Sequence, residues 1–559
     1  MGNIALQNFD YVAILIYIAL MAVIGFTFGW LVKDSSSYFK GGGTIPWVMA
    51  TITNYMGLFS TFVFVAYAGI AYEYGLVSIV VFLSTVPGCV VAGLYFGARW
   101  RRTGDTTPVE YLEKRYGYPV RKLIMWLGLV MRFLDNMVRL YAIGLFIAAV
   151  TPLSLEWAIL ISGLIVTVFN IIGGIWTVTI MSTVQFIILI LVTIILLPLS
   201  FDASGGFSAM LEKFPQHLEL FNGPKGEWLW LAVYCVMVTI KYNENWTFIQ
   251  KFYCVRDESA AKKVGIYSGV LFLVFSPLFL IPAVLSPLIV PEIPDPEMSY
   301  VMISSMLLPV GVMGIMFSSM FAATMSSLNA EYNIMAGVIT TDIYQRMFNP
   351  KADGKRLLTV ARIATVIVGL IMILGAFGVR NFGGAFEANK LFTGILAIPI
   401  GIPLVLGIMS KSPNQNSSIC TIVAGVVIGI AINMTPQISW ETGTLVELLA
   451  CLAIYYYPLF TKRVYGESEK SLFKKIETPI PESAKPDISP EYIRSLVYLF
   501  VFSMVVSGLL FAGMSAPSIA QRGGQYGVLA GLLCIGAAAA IYFVYRKSKA
   551  AKAVGQLKR

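Results

Sequence analysis

Histidine, charged residues and paired cysteines are scarce in this sequence, and each shortage argues against a class of protein. The single histidine, His217, argues against a histidine-based metal site. The six cysteines have no paired spacing and mostly fall in apolar runs, which indicates small buried side chains rather than a disulfide framework. Only 13% of the residues are charged, about half the usual share in soluble domains, which argues against a soluble fold.

Long apolar runs dominate the chain instead. Hydrophobic residues make up 57% of it and the mean hydropathy is +0.77. A run of about 20 apolar residues is long enough to cross a hydrocarbon core of roughly 30 Å as a helix. We therefore predict an all-α polytopic membrane protein, a single transmembrane domain over 1–559 with about 15 spans. The predicted spans begin near Tyr11, Pro46, Leu76, Lys122, Trp157, Ile180, Trp228, Gly265, Val301, Val360, Ala385, Ile419, Gly443, Ser495 and Gly527.

Basic residues concentrate in alternate loops, which predicts the orientation of the chain. The stretches rich in Lys and Arg are 98–122, 250–263, 346–356 and 545–559. The loops 290–300 and 436–443 contain neither residue. Because cytoplasmic loops carry the excess of positive charge, we predict a multi-pass protein of the cell membrane with its N-terminus outside and its C-terminus in the cytoplasm. The net charge of +10 then reflects loops beside the lipid bilayer, not nucleic acid as a partner.

One long polar insertion separates the late spans. Residues 461–492 have mixed charges, and prolines crowd their second half, which predicts a solvated cytoplasmic linker. Residues 493–559 then form the last two spans and a basic cytoplasmic tail.

Several charged residues interrupt the predicted spans, where each costs roughly 2.5–3.5 kcal/mol on insertion scales. They are Arg132, Asp135 and Arg139 in the fourth span, Lys241 and Glu244 in the seventh, and Glu387 and Lys390 in the eleventh. Asp135 and Arg139 are spaced i,i+4, and Lys241 and Glu244 i,i+3, which predicts ion pairs within one helix. A binding role and a purely structural role for these charges both remain open.

Polar residues also gather in the second and seventh predicted spans. The second contains Thr51, Asn54 and Ser60, and the seventh ends in the sequence YNEN. Matching interruptions in two halves of a chain are typical of discontinuous helices, whose free carbonyls bind ions and substrates near the midplane. Five spans over 46–202 and five over 228–409 predict two repeats, which are inverted because each holds an odd number of spans.

Two adjacent hydroxyls, Ser326 and Ser327, lie deep in an apolar segment with the sequence MFAATMSSLNAEYN. Hard monovalent cations prefer several oxygen ligands, and two hydroxyls facing the carbonyls of an unwound helix supply such a set. Alternatively, each serine bonds back to a carbonyl one turn earlier, as is common in membrane helices. The residues alone leave both interpretations open.

Five motifs resemble the sodium/solute symporter family, the group of sodium–glucose, sodium–proline and sialic-acid transporters. They are SYFKGGGTIPW (37–47), TPVEYLEKRYG (107–117), IIGGIWTVTIMSTVQF (171–186), IQKFYCVRDESAAKK (249–263) and FAATMSSLNAEYNIMAGVITTDIY (321–344). The resemblance implies the leucine-transporter-like inverted five-plus-five helix repeat, with one extra helix at the N-terminus and about four at the C-terminus. It also implies Na⁺ as the coupling ion.

The resemblance implies a sodium site between the eighth core helix and the broken first core helix. The matching positions are the hydroxyls of Ser326 and Ser327 and the carbonyls of Ala323, Met56 and Phe59. This favours the ion over the back-bonded interpretation of the serine pair.

The sequence also departs from the family pattern. Ser182 occupies a position where many members carry an Asp associated with sodium handling, which predicts one sodium ion per cycle. The positions matching solute-binding and gating residues in family members are Phe62, Val63, Phe82, Asp135, Lys241 and Lys390, to which we add Ser60 of the broken span. Lysines suit an anionic solute such as a sugar acid. Pairing of Lys390 with Glu387 or Asp135 would instead leave room for a neutral sugar, and both remain open.

We therefore predict a sodium-coupled secondary active symporter that imports a small organic solute by alternating access, and not an enzyme. No nucleophile–base pair or metal-binding constellation is present in the sequence. A ligand sensor with transporter architecture and an uncoupled or proton-coupled carrier remain alternatives, and Asp135 is the candidate proton carrier in the last.

Overall fold

All regular secondary structure in the described part of the chain is helical. The computed structural model describes residues 6–29, 41–293, 295–382, 385–435, 437–460, 466–486 and 490–557. Helices suit this composition because a membrane supplies no water to the backbone, so every N–H and C=O must be satisfied within the segment.

The α-helices are numbered here in chain order. The first eleven are α1 Asn8–Gly29, α2 Trp47–Leu58, α3 Ala68–Tyr74, α4 Val77–Leu83, α5 Thr85–Val91, α6 Gly97–Thr103, α7 Glu110–Tyr116, α8 Tyr118–Val150, α9 Leu155–Ser204, α10 Gly206–Lys213 and α11 Trp228–Glu244. The others are α12 Trp246–Cys254, α13 Glu258–Ile289, α14 Ser299–Leu307, α15 Val312–Val338, α16 Gly354–Ala376, α17 Ala385–Gly401, α18 Gln415–Asn433, α19 Trp440–Tyr456, α20 Glu467–Glu477, α21 Pro490–Ser515 and α22 Arg522–Leu557. Short π-helical turns at Val63–Tyr67, Ala92–Phe96, Ile339–Phe348 and Ile402–Leu406 extend or join some of them.

Eight helical stretches of the described residues are long and apolar enough to cross a membrane. They are Val77–Thr103, Val178–Ser204, Glu258–Ile289, Gly354–Ala376, Ala385–Leu406, Gln415–Asn433, Ile493–Ser518 and Arg522–Lys547. A ninth is formed by Trp47–Leu58 and Val63–Tyr74 if this pair, bent by 57°, is one span. The chain is thus a multi-pass membrane protein.

The loops meet at two opposite ends of the helices. At one end, which we name the basic-loop face, Arg102 pairs with Glu258 and Arg121 pairs with Glu113 and Asp342. The other end, the acidic-loop face, carries residues 290–293 and 295–298. There the N–H of Leu76 donates to the carbonyl of His217. This hydrogen bond joins the connection between α3 and α4 to the connection between α10 and α11.

The expectation of a solvated linker over 461–492 is wrong for the segment 466–486, which we name the strap. Its helix α20 buries Leu472, Phe473 and Ile476 against the basic-loop face. Glu469 pairs with the buried guanidinium of Arg115 on α7. The apolar spacing in α20 gives one face for packing, and this face outweighs the mixed charge that indicates solvation.

Polar contacts attach the strap to several helix ends. Lys475 donates to the carbonyl of Thr103 at 2.6 Å, and Arg102 donates to the carbonyl of Ile476 at 2.9 Å. The N–H of Ile480 donates to Glu258 at 2.7 Å. The strap therefore bridges α6, α7 and the start of α13.

Breaking the buried pair should release the strap. We expect Glu469→Ala to weaken strap docking by about 1–3 kcal/mol, because the Arg115 guanidinium loses its carboxylate while remaining buried. Limited proteolysis should then cut this segment about 5- to 150-fold faster. The matched control is Glu467→Ala on the same helix, whose side chain is 92% exposed and pairs with Lys470. Equal cleavage rates in the two variants would contradict the docked arrangement.

Candidate functional site

The first part of the site is a break in the helical path after α2. Phe59 has extended backbone angles (φ −82°, ψ 109°) and is fully buried. The helical path resumes at Val63 after a 57° bend. A helix end leaves carbonyl groups without intrahelical partners, so the break presents free oxygens in the protein interior. This confirms the prediction of a discontinuous helix here.

Helix α15 holds the broken segment in place. The backbone N–H of Thr61 donates to the hydroxyl of Thr324 at 2.8 Å, and the Thr61 hydroxyl donates to the carbonyl of Met320 at 2.9 Å. The two threonine hydroxyls are also in hydrogen-bond contact. These bonds fix the segment after the break against Thr324, which precedes Ser326 by two residues on the same helix.

The serine pair keeps its oxygen lone pairs available. Ser327 donates its hydroxyl proton to the carbonyl of Thr324 at 2.9 Å, which is the back-bonded geometry. Ser182 on α9 donates to the carbonyl of Val178 at 2.6 Å, so in its 2.6 Å contact with Ser326 the proton comes from Ser326. A hydroxyl that donates its only proton to a neighbour still accepts a cation. The two interpretations of the serines are therefore compatible.

The donor set fits a small alkali cation. Besides the serines, the predicted carbonyl ligands belong to Met56, Phe59 and Ala323, each fully buried. All are neutral oxygens, the ligand class that hard cations prefer. Ser182, which the sequence presents only as a lost carboxylate, contacts Ser326 directly. The sequence reasoning did not include its hydroxyl among the candidate oxygen donors.

A second break follows α11. Asn245 has extended backbone angles (φ −66°, ψ 118°), and its side chain accepts from the N–H of Thr247 at 2.9 Å to cap α12. The YNEN sequence thus ends one helix and begins the next, which confirms the prediction of a second discontinuous helix.

A cavity lies between the two breaks. It encloses about 840 Å³ not filled by atoms, part of it open to solvent. The seven predicted solute-binding residues all line it: Ser60, Phe62, Val63, Phe82, Asp135, Lys241 and Lys390. The sequence reasoning did not identify Tyr67, Tyr234, Phe386 and Thr393, which also line it. Most of these are apolar or aromatic and carry no signal that separates them from ordinary packing residues.

Asp135 is the centre of the polar wall of the cavity. Its carboxylate contacts Arg139 at 3.0 Å and Lys241 at 3.1 Å, and accepts from Asn389 at 2.6 Å. Lys241 also donates to Asn389 at 3.2 Å and to Thr393 at 2.7 Å. One buried carboxylate therefore serves two cations, and the three ammonium protons of Lys241 all have acceptors.

Of the two ion pairs predicted within a helix, one is present and one is absent. Asp135 and Arg139 pair within one helix as predicted. Lys241 does not pair with Glu244 because it points to Asp135 on α8, whereas Glu244 pairs with Arg132. Lys390 pairs with Glu387, whose side chain is 47% exposed, so this lysine has the partner that the neutral-sugar interpretation requires.

Aromatic side chains cover the cavity towards the acidic-loop face. The hydroxyls of Tyr67 and Tyr234 are 2.8 Å apart, and the ammonium of Lys225 lies 4.4 Å from the centre of the Phe386 ring. Beside them, the loop 295–298 packs on α3, where a Cβ on Gly69 would lie 3.3 Å from the backbone nitrogen of Glu297. This loop is therefore in close contact with the second half of the broken helix.

Docking of this loop should depend on pH. Burial, followed by the carboxylate of Asp295, raises the pKa of Glu297 to about 7. Because the docked loop holds this proton more tightly than a free glutamate does, docking is strongest below the ordinary pKa and weakens as the pH rises through 7. We expect the free energy of loop docking in the wild type to fall by less than about 1.4 kcal/mol per pH unit between pH 6 and 8. Glu297→Gln should not show this pH dependence.

Melting temperatures at pH 6, 7 and 8 measure this effect. Glu292→Gln is the matched control because Glu292 lies on the same loop and is exposed. The same slope in the wild type and both variants would show that Glu297 does not set the pH dependence.

The chain matches one family over most of its length. The family model described as the Sodium:solute symporter family matches residues 38–425. The chain is 24% identical over 517 residues to a sodium/glucose cotransporter of Vibrio parahaemolyticus, covering 84% of this chain and 94% of that protein. It is 22% identical over 512 residues to the sodium/sialic acid symporter NanT of Aliivibrio fischeri, covering 85% and 98%.

Solved structures share the fold. A Na⁺-coupled sialic acid symporter in a substrate-bound outward-open state superposes with a TM-score of 0.74 at 18% identity, covering 82% of this chain and 100% of that one. Mhp1, a nucleobase-cation-symport-1 family transporter in a closed conformation, superposes with a TM-score of 0.50 at 16% identity, covering 80% and 100%. These structures are similar to this chain in architecture.

Proposed function

Because this chain belongs to the sodium:solute symporter family, we propose that it imports a small organic solute by symport with sodium. Sodium is the coupling ion. It binds between the break at Phe59 and the hydroxyls of Ser326 and Ser327, and it stabilises the form that is open to the outside. The solute binds in the neighbouring cavity, and closure followed by inward opening releases both. Each sodium ion moving inward down 100 mV contributes about 2.3 kcal/mol from the voltage.

The proposed architecture has about 15 spans, with inverted repeats over 46–202 and 228–409. The breaks at Phe59 and Asn245 support this, since each lies in the first span of its repeat. The basic-loop face lies in the cytoplasm, as expected from the clustering of Arg and Lys there. The cell membrane is the site of action.

An anionic solute with an apolar or ring-shaped body is the solute class that we favour. The observation that carries this is the single carboxylate of Asp135 shared between Arg139 and Lys241. The cluster has one excess positive charge in a low-dielectric interior, where a carboxylate or sulfonate is attracted over several ångströms. Phe62, Phe82 and other aromatic walls suit the rest of such a molecule.

A neutral sugar is the second candidate. It is favoured by the saturated hydrogen bonding of Lys241 and by the pairing of Lys390 with Glu387. In that case both lysines hold the cavity in shape, and Asn389 and Thr393 offer the hydrogen bonds.

A melting-temperature screen of the purified protein separates these candidates. Sodium, potassium or choline is combined with neutral sugars, sugar acids, short organic acids and amino acids, since a ligand of the folded state raises its apparent stability. We expect stabilisation by an acid that requires sodium and is lost in Lys241→Met but kept in Lys390→Gln. Proteoliposomes with an inward sodium gradient then test accumulation. Absence of sodium-dependent binding and uptake for every solute would contradict the function.

A further inference from the structure

Glu331 is the first carboxylate on α15 after the serine pair. Ser327 and Glu331 are spaced i,i+4, so they lie on one helix face and about 6 Å apart along the axis. Towards its end α15 approaches the basic-loop face, where Asp342, in the π-helical turn that follows, pairs with Arg121. Glu331 is therefore located between the proposed sodium ligands and that face.

The charge of Glu331 is only partly matched. Arg132 forms its close ion pair with Glu244, and its Nη1 lies 3.9 Å from Oε1 of Glu331, beyond hydrogen-bond range. Asn245 donates to Oε1 at 3.4 Å. Among the described residues, nothing donates a hydrogen bond to Oε2, although Glu331 is only 1% exposed. One guanidinium thus faces two buried carboxylates.

Lys251 on α12 does not donate a hydrogen bond to Oε2 of Glu331. Its ammonium is 1% exposed and interacts electrostatically with Glu331, yet no described residue is its hydrogen-bond partner. A buried carboxylate oxygen without a donor is costly, and binding a cation there removes that cost. The proposed sodium ligands are all neutral oxygens, so Glu331 is the nearest anionic oxygen along α15.

We propose that Glu331 is a second cation-binding group, which takes up a monovalent cation one helical turn beyond the serine pair on the route to the basic-loop face. The cation is a proton, or a sodium ion that binds while Ser326 and Ser327 hold another. This inference rests on the proposed function, since it concerns the ion path of a sodium-coupled carrier. The groups that face the carboxylate are Arg132, Glu244, Asn245 and Lys251.

Sodium titrations of the purified protein, followed by melting temperature, test this proposal. We expect Glu331→Gln to weaken the apparent sodium affinity at pH 7.5 at least tenfold. Glu447→Gln is the matched control, because Glu447 on α19 is another carboxylate only 2% exposed whose Oε1 has no described partner. It should bind sodium as the wild type does.

The pH distinguishes the two cations. If a proton competes, the apparent sodium dissociation constant of the wild type rises between pH 8.5 and 5.5, and this rise is absent from Glu331→Gln. If sodium itself binds, the wild-type isotherm at pH 8.5 has a Hill coefficient above one that falls to one in the variant. A variant with wild-type affinity, pH dependence and Hill coefficient overturns the proposal.

Two further results keep the test decisive. If Glu331→Gln does not fold, a wild-type isotherm that is single-site and independent of pH overturns the proposal by itself. The double variant Ser326→Ala, Ser327→Ala is measured in parallel. A retained sodium response there is a failure of the proposed function, whereas its loss beside an unaffected Glu331→Gln is a failure of this inference alone.

Discussion

Replacing both hydroxyls of the serine pair, Ser326→Ala with Ser327→Ala, is expected to abolish sodium-dependent stabilisation and transport. The change removes two of the oxygen ligands from a buried site whose other donors are backbone carbonyls. We expect the apparent sodium affinity to fall by about 100-fold or more, equivalent to about 2.7 kcal/mol. The fold should persist, because alanine is the better helix former and each serine bonds only to a helix carbonyl or to another hydroxyl.

The same helix offers a matched control for this prediction. Ser318 and Ser319 are adjacent, buried and back-bonded to the carbonyls of Gly314 and Met316 at 2.9 and 2.8 Å. They lie about two turns before the serine pair. Ser318→Ala with Ser319→Ala should leave the sodium response unchanged. A wild-type sodium titration in the Ser326/Ser327 double variant would contradict the site.

The second large effect is expected at Asp135. Asp135→Asn leaves the buried Arg139 and Lys241, whose side chain is 16% exposed, with no carboxylate between them. Removing one partner from a buried ion network costs about 3–5 kcal/mol, so we expect a lower melting temperature and loss of solute binding. Adding Lys241→Met returns the net charge of the cluster to its original value and should recover part of the lost stability.

Glu387→Gln is the matched control for this variant. It also converts an acid that pairs with a lysine into its amide, but the side chain is 47% exposed. Exposed pairs contribute about 0–1 kcal/mol, so the control should melt close to the wild type. If Asp135→Asn had the same melting temperature as this control, the carboxylate would not be the centre of the polar wall.

The sequence predicts the features that depend on local pattern. Polar residues within apolar spans predict the breaks at Phe59 and Asn245, and family motifs point to Ser326 and Ser327. Each of these signals consists of residues that are close to one another in the chain. A helix keeps such neighbours together, so the folded protein retains each pattern.

Pairings between helices are not predictable in the same way. Lys241 is 106 residues from Asp135, and only tertiary packing selects Asp135 rather than Glu244, its neighbour in the helix. The contact between Ser182 and Ser326 is also invisible in the sequence, because it joins α9 to α15. Sequence spacing gives helix neighbours at three and four residues, and this rule assigns Lys241 to the wrong acid.

The strap has a consequence for the resting conformation of the carrier. Its contacts to Thr103, Arg115 and Glu258 all lie on the basic-loop face, and none of those described here reaches the opposite face. If the carrier opens at the basic-loop face by separating these helix ends, the free energy of strap docking is added to that opening only. The carrier then rests closed at the basic-loop face. A short helix would thereby lower the fraction of time for which the solute cavity is open at that face, during uptake and efflux alike.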